Sequence, residues 1–199
     1  KYYIKNSFFF VSALSIPLMF GLMGVAPELS PWFFGNNFAG IEKLIIISSL
    51  IILAISWSNV LGMQLLVPLN KTKEFTISVT SGAIINFVLN LVLIKNFGAT
   101  GACISTIIAE FTVTSVQFYL LKDFIKAEEL IKPVLLFIPA SIVMYIFVRI
   151  IGNSMGAGIL TNIVQGMVGV ITYFIIIEGF YRVFKKQSIV TYVKDIIKG

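Results

Sequence analysis

Apolar residues form six long runs along the chain, and short polar or glycine-rich stretches separate them. The runs cover residues 7–29, 44–66, 76–94, 102–121, 133–151 and 159–181. Each run approaches the length of about 20 residues that an α-helix needs to cross a bilayer. The pattern predicts an all-α integral membrane protein, with one six-helix transmembrane unit over 1–181 and a basic cytoplasmic tail over 182–199.

A carboxylate lies near the middle of the fourth run, at Glu110. A charged side chain at the centre of a bilayer costs about 2.5–3.5 kcal/mol even on the most lenient scale. Thr106 and Thr114 flank Glu110 at a spacing of four residues, and Gln117 continues the same polar stripe of the helix. We interpret Glu110 as a cation- or proton-responsive group that lines a cavity. The alternative is a protonated glutamate that is hydrogen-bonded within the bundle.

Other polar residues inside the runs are weaker candidates for lining a cavity. Asn86 and Asn90 repeat at a spacing of four in the third run, and Gln64 lies near the end of the second. Hydrogen bonds between helices explain Asn86 and Asn90 equally well. Arg149 and Glu178 lie near the ends of runs, so we expect both side chains to reach the membrane interface.

Glycine and proline mark the predicted turns and hinges. The third and fourth runs predict an antiparallel hairpin, which the turn NFGATGA closes at 96–102. Gly101 also begins a stripe of small residues, with Ser105 and Ala109, that lets two helices approach closely. A proline within a helix either bends it or is tolerated as a kink. The predicted turn and hinge positions are Gly98, Gly101, Pro17 and Pro139.

Composition and charge agree with a membrane location and orient the chain. Hydrophobic residues make up 58% of the sequence and charged residues only 12%, about half the share in soluble domains. Twelve of the fifteen Lys and Arg residues lie on the side of the N terminus. The other three are Lys43, Lys95 and Arg149. By the positive-inside rule both ends are cytoplasmic, and such dispersed basic residues do not indicate a nucleic-acid partner.

The sequence contains no catalytic constellation. It has no histidine, no nucleotide-binding glycine loop, no pair of carboxylates within an apolar run and no cluster of metal ligands. We therefore expect neither an enzyme nor a bound cofactor or metal ion. Cys103 lies alone inside an apolar run, where we expect it to be a small buried hydrophobe. The chain begins KYYIKN without an initiator Met, so we expect it to be part of a longer protein.

Three stretches resemble a known family of transporters. They are PLMFGLMGVAPELSPWFFG at 17–35, SNVLGMQLLVPLNKTKEF at 58–75 and INFVLNLVLIKNFGATGACISTIIAEF at 85–111. Together they resemble the carboxy-terminal half of Wzx-type polysaccharide flippases, in the multidrug/oligosaccharidyl-lipid/polysaccharide superfamily. The positions that match the family pattern are Pro27, Phe34, Gly35, Gln64, Asn86, Asn90, Gly98, Gly101, Ala102 and Glu110. The last two runs match by hydropathy only.

The resemblance implies one lobe of a twelve-helix, two-lobed flippase fold in a bacterial-type plasma membrane. Such a protein flips undecaprenyl-diphosphate-linked oligosaccharide outward by alternating access, for surface polysaccharides such as capsule or O-antigen. The implied partners are this lipid-linked oligosaccharide, membrane lipid and the amino-terminal lobe of the same protein, and coupling to a proton or sodium gradient fits the family. The central cavity of such proteins is expected to be cationic. Because Glu110 is acidic, the cations that bind the diphosphate are expected mainly in the amino-terminal lobe.

Two alternatives stay open from the sequence. One is the lobe of a multidrug extruder, and the other is a structural membrane subunit of a glycan-synthesis complex. In the structural subunit, Glu110 only cross-links helices, so its substitution lowers stability rather than flux. A membrane-embedded glycosyltransferase needs an acidic catalytic pair in a loop, and the loops of this chain are too short to hold one.

Overall fold

A computed structural model describes residues 1–35, 38, 40–185, 188, 189 and 191. All regular secondary structure in these residues is helical. The elements are α1 (Tyr2–Phe33), α2 (Ile41–Ser48), α3 (Leu50–Leu61) with a π-helical turn at Gly62–Leu66, α4 (Thr72–Leu120), α5 (Ala127–Val134), α6 (Phe137–Met155) and α7 (Ile159–Phe180) with a π-helical turn at Tyr181–Lys185. The predicted all-α architecture is confirmed.

Five helical stretches of the described chain are long and apolar enough to cross a membrane. They are Tyr2–Phe33, Ile41–Leu66, Thr72–Leu120, Ala127–Met155 and Ile159–Val183. These lengths and compositions are those of a multi-pass membrane protein. The number differs from the six predicted runs because the third and fourth runs both fall within α4.

The 49 residues of α4 contain one residue with a non-helical backbone, Gly98, at φ 55° and ψ −132°. Residues with a side chain rarely adopt this conformation, so glycine is required at this position. The chain reverses here, inside the predicted turn at 96–102. We call the two halves α4a (72–97) and α4b (99–120).

The two halves of α4 pack against each other in antiparallel fashion. Near their open ends, Nε2 of Gln117 donates a hydrogen bond to Oγ of Ser78 at 3.3 Å. One turn further, Gly82 lies against Val113 and the backbone of Ala109, and a Cβ atom at Gly82 would overlap the Val113 side chain. The predicted helical hairpin is therefore present, with its reversal at Gly98.

Prolines set the ends of two helices. Pro68 has no N–H, and the preceding Val67 N–H reaches back five residues to the Gly62 carbonyl at 3.0 Å, which makes the π-helical turn after α3. In the predicted fifth span, α5 and α6 are separated at residues 135 and 136. Pro139 lies in the first turn of α6, so the bend comes before it. Pro17 lies inside α1, which continues as α-helix through it.

The central element of the bundle is α1, which packs against α3, α6 and α7. In the most apolar stretch of α1, 39% of the residues are buried, compared with only 11% in that of α4. The α4 hairpin therefore lies at the edge of the bundle. Aromatic rings fill the core around the start of α1. The ring centroids of Phe9 and Phe137 are 5.0 Å apart, and those of Phe8 and Trp57 are 5.1 Å apart.

Most of the predicted cytoplasmic tail, 182–199, lies outside the described residues. At its start, Arg182 donates to the carboxylate of Glu178 at 2.7 Å, and the Arg182 side chain is exposed. The same carboxylate accepts from the hydroxyl of Ser188 and the N–H of Ile189, each at 3.0 Å. Glu178 therefore holds the first residues after α7 against the helix end.

Candidate functional site

Glu110 lies midway along α4b and is half-buried. Within the described residues its carboxylate has no hydrogen-bond or salt-bridge partner. The two threonines that share its stripe do not bond to it. The Thr106 hydroxyl donates to the carbonyl of Ala102 at 3.0 Å, and the Thr114 hydroxyl donates to the carbonyl of Ala54 at 3.0 Å. Helical threonines satisfy their hydroxyls on backbone carbonyls in this way, which leaves the carboxylate alone.

The predicted polar stripe of α4b is divided into two parts with different surroundings. Thr114 and Gln117 are buried where α4b meets α3 and α4a, and both form hydrogen bonds to those helices. Their role in the structure is therefore to connect helices. Glu110 stands apart from these contacts, on the part of α4b that the described helices leave half open.

Asn86 and Asn90 interact with each other within α4a. Nδ2 of Asn90 donates to Oδ1 of Asn86, and Oδ1 of Asn90 is buried without a partner among the residues that the structure describes. The antiparallel register of the hairpin places Asn86 level with Ala109, next to Glu110. Asn86 is thus at about the level of the carboxylate, and Asn90 lies one helical turn nearer to Gly98.

Gln64 is not part of this arrangement. It lies exposed on the π-helical turn after α3. The start of that turn, Gly62, contacts the side chain of Gln117. Gln117 is seven residues from Glu110, which is about 10 Å along a helix. Gln64 therefore lies near the opposite end of the hairpin from the Gly98 turn.

The small residues of α4b allow the close approach that was predicted. Gly101, Ser105 and Ala109 are all buried. A Cβ atom at Gly101 would overlap the backbone carbonyl of Leu93 on α4a. The Ser105 hydroxyl donates to the Gly101 carbonyl at 2.9 Å, so it is satisfied within its own helix. Gly98 thus reverses the chain and Gly101 lets the two halves meet.

A second charged site, which the sequence pattern did not identify, joins α1 to α6. Nη1 of Arg149 donates to both carboxylate oxygens of Glu28, at 2.9 and 2.7 Å, and to the carbonyl of Gly24 at 3.1 Å. The Glu28 side chain is only 8% exposed and that of Arg149 is 24% exposed. The guanidinium thus turns towards a buried carboxylate on α1, a partner that the expectation of an interfacial side chain did not include.

The ion pair continues into a hydrogen-bond network with α7. Nε2 of Gln165 donates to Glu28 at 2.9 Å, and Oε1 of Gln165 accepts from Asn162 at 2.8 Å. Asn162 in turn accepts from the indole N–H of Trp32 at 2.5 Å. Gly152 closes the network, because a Cβ atom there would overlap both the Glu28 carboxylate and the Gln165 amide. Three helices are held together at this end of the bundle.

A signal for this pair is present in the sequence. Glu28 is an acidic residue inside the first run, and Arg149 is a basic residue near the end of the fifth. In the predicted topology both runs cross the membrane in the same direction. Residues near their C-terminal ends therefore reach the same side, where opposite charges are able to pair.

An apolar groove lies between α1 and α7, with α6 as its floor. Its volume is about 490 Å³, and Leu14, Leu18, Val148, Gly166 and Phe174 are among the residues that line it. Pro17 also lines the groove, whereas Glu110 and the asparagines of α4a do not. The predicted polar cavity and this groove are therefore on different parts of the molecule.

The polar level of the hairpin consists of the Glu110 carboxylate and the Asn86 and Asn90 amides, within otherwise apolar helices. In the described part of the chain, no three His, Cys, Asp or Glu side chains come together as a metal-ion site would require. No protein-family model, curated protein or solved structure matches this chain.

Proposed function

We propose that this chain is a six-span lobe of a two-lobed transporter that flips undecaprenyl-diphosphate-linked oligosaccharide outward across a bacterial-type plasma membrane. The motifs that resemble Wzx-type flippases support this proposal, because they follow the family's order over residues 17–111. The reversal at Gly98 supports the span count. Each half of α4 is longer than the roughly 20 residues that one crossing requires, and six crossings bring both ends to the cytoplasmic side.

The observation that carries the proposal is the unpartnered carboxylate of Glu110. By contrast Glu28, an acidic residue near the end of α1, is buried and paired with Arg149. Glu110 has no such partner within the described residues and is half-exposed. An ionised carboxylate in lipid costs several kcal/mol, so Glu110 requires water or a polar surface that this lobe does not supply. A water-filled transport path between two lobes meets this requirement.

The position of Glu110 suits a part in an alternating-access cycle. The proposed second lobe faces α4, whose apolar side chains are the least buried of the bundle. In one conformation the carboxylate takes up a proton or a monovalent cation, and in the other it releases it. The ion then shifts the equilibrium between the two conformations by its different affinity for each. In this proposal the second lobe supplies the cations that meet the diphosphate.

Deletion of the gene that encodes this chain tests the proposal in cells. A lost flippase leaves the lipid-linked oligosaccharide complete but trapped on the cytoplasmic face, and surface polysaccharide disappears. The measurement is extraction of the lipid-linked oligosaccharide, with its sidedness determined by an impermeant glycan-oxidising reagent on intact cells. Re-expression of the wild-type gene is the control.

The alternatives predict different results in the same strain. A structural subunit of a glycan-synthesis complex leaves no completed lipid-linked oligosaccharide to accumulate. A multidrug extruder leaves surface polysaccharide intact and increases retention of a cationic dye. Either of these results contradicts the flippase proposal.

A further inference from the structure

Pro17 leaves a gap in the hydrogen bonds of α1. In an α-helix the N–H of residue 17 reaches the carbonyl of residue 13, but Pro17 has no N–H to donate to Ala13. The gap lies inside a helix that is apolar enough to cross a membrane. A backbone carbonyl left unpaired in such surroundings costs free energy comparable to a lost hydrogen bond. A group from outside the helix is therefore needed to complete α1 at this point.

The hydroxyl of Tyr173 fills this gap. It donates to the carbonyl of Ala13 at 2.8 Å, across 160 positions of sequence. Tyr173 lies on α7 and is only 7% exposed, so bulk water has little access to this bond. The tyrosine thus supplies, from a second helix, the hydrogen bond that the proline removes from the first.

The direction in which α1 is able to bend follows from the position of the proline ring. The ring clashes with the carbonyl four residues back, and a helix relieves this clash by opening on the side of the ring. Pro17, Ala13 and Tyr173 all line the groove between α1 and α7, so this side of α1 faces α7. A bend at Pro17 therefore moves the first half of α1 away from α7 and stretches the bond to Tyr173.

The two halves of α1 are connected to the bundle in different ways. The half after Pro17 is held to α6 and α7 by the hydrogen bonds of Glu28 and Trp32. The half before Pro17 meets α7 through the Tyr173 bond and through the rings of Phe9 and Tyr181, whose centroids are 6.4 Å apart. We therefore expect a bend to move the first half of α1 about a fixed second half.

We propose that Tyr173 acts as a latch on a hinge at Pro17. While the Tyr173 hydroxyl is bonded to Ala13, α1 stays one continuous helix and its first half stays against α7. When α7 withdraws the hydroxyl, α1 bends at Pro17 and its first half moves away. The position of α7 thus controls the shape of α1. This inference does not depend on what the protein transports.

Distances between spin labels measure the bend directly. The full chain, in a Cys103→Ser background, carries labels at two exposed positions, Tyr3 of α1 and Ile175 of α7, and is reconstituted in lipid nanodiscs. Tyr3 lies about 21 Å along the helix from Pro17, so a bend of about 20° moves it by about 7 Å. We expect Tyr173→Phe to lengthen or broaden the distance by several ångström. An unchanged distribution contradicts the latch.

Two controls separate a bend from a general loss of structure. A second pair of labels, at Phe33 and Leu160, reports on the half of α1 that the ion-pair network holds in place. This distance should not change in Tyr173→Phe, and a change at both pairs contradicts a hinge at Pro17. Tyr145→Phe removes a hydroxyl of α6 that has no hydrogen bond among the described residues, so it should leave both distances as in the wild type.

Restoring the missing donor tests whether Tyr173 acts through the proline. Pro17→Ala returns an N–H to α1, which satisfies the Ala13 carbonyl within its own helix. In this background we expect Tyr173→Phe to leave the distance from Tyr3 to Ile175 unchanged. If Tyr173→Phe alone does not fold, Pro17→Ala should restore folding. A bend or a loss of folding that persists in the double variant shows that the hydroxyl does not act on the proline gap, and contradicts the proposal.

Discussion

Arg149 and Glu28, which are 121 positions apart in sequence, form a buried ion pair between α6 and α1. One guanidinium nitrogen, Nη1, donates to both carboxylate oxygens, and the Glu28 carboxylate also accepts from Gln165. The pair thus connects α1, α6 and α7 at one end of the bundle. The contribution of this pair to stability depends on both charges being present, because either charge alone would lie largely out of water without a counter-charge.

Removing one partner of this pair is expected to destabilise the fold. Arg149→Met leaves the Glu28 carboxylate buried without a counter-charge, which costs about 3–5 kcal/mol in comparable sites. The measurement is the free energy of unfolding in mixed micelles, followed by circular dichroism. Arg182→Met is the control, because the exposed pair of Arg182 with Glu178 contributes about 0–1 kcal/mol. Equal losses in the two variants contradict the assignment of a buried pair.

Gly152→Ala is expected to disrupt the same network through sterics alone. The added methyl group overlaps the Glu28 carboxylate and the Gln165 amide, so these side chains have to move and their hydrogen bond is disrupted. The unfolding temperature should fall, and the effect should be smaller in the Arg149→Met background because both changes act on one network. Gly166→Ala, which meets no atom within 4 Å, serves as the control. Full additivity of the two changes argues against a shared network.

Gly101→Leu is expected to reduce the amount of folded protein in the membrane. A side chain at this position overlaps the backbone of Leu93, and backbone has little freedom to move within a hairpin. The measurement is the monodisperse fraction after solubilisation, by size-exclusion chromatography. Gly179→Leu, on an unobstructed part of α7, should match the wild type. Wild-type abundance of Gly101→Leu contradicts the close packing of the hairpin.

The orientation of the spans is testable by cysteine accessibility in a Cys103→Ser background. A cysteine at Asn153 should react with an impermeant maleimide on intact cells. Cysteines at Lys73 and Lys126 should react only after permeabilisation, because the charge bias places them on the cytoplasmic side. Asn37, which lies outside the described residues, is a second position expected to react from outside. External labelling at Lys73 contradicts the topology.

Much of the fold follows from features that are local in sequence. The apolar runs predict where helices lie, because a helix in lipid satisfies its own backbone. The hairpin follows from Gly98 and from the small residues after it, since a backbone reversal and close packing both require glycine. The sequence predicts the ends of the helices less accurately. α1 begins at Tyr2 rather than at residue 7, because helical hydrogen bonding continues past the apolar run.

The contacts of the polar residues were harder to predict than the helices. Glu28 and Arg149 meet only because α1 and α6 pack side by side in one register, which no local pattern specifies. The expected stripe from Thr106 to Gln117 was divided because the threonine hydroxyls bond to backbone carbonyls and Gln117 turns to Ser78. Spacing identifies the face of a helix, whereas the neighbour on that face depends on tertiary packing.

The central claim is that Glu110 acts in transport, and Glu110→Gln tests it most directly. Glutamine keeps the size and hydrogen-bonding capacity of the side chain but removes its ability to ionise. The measurement is gradient-driven flipping of lipid-linked oligosaccharide in vesicles that contain the complete transporter, alongside its thermal stability. We predict near wild-type stability with impaired flipping, or with flipping that no longer depends on the ion gradient. Unchanged flipping with unchanged gradient dependence would contradict the claim and leave Glu110 with a structural role only.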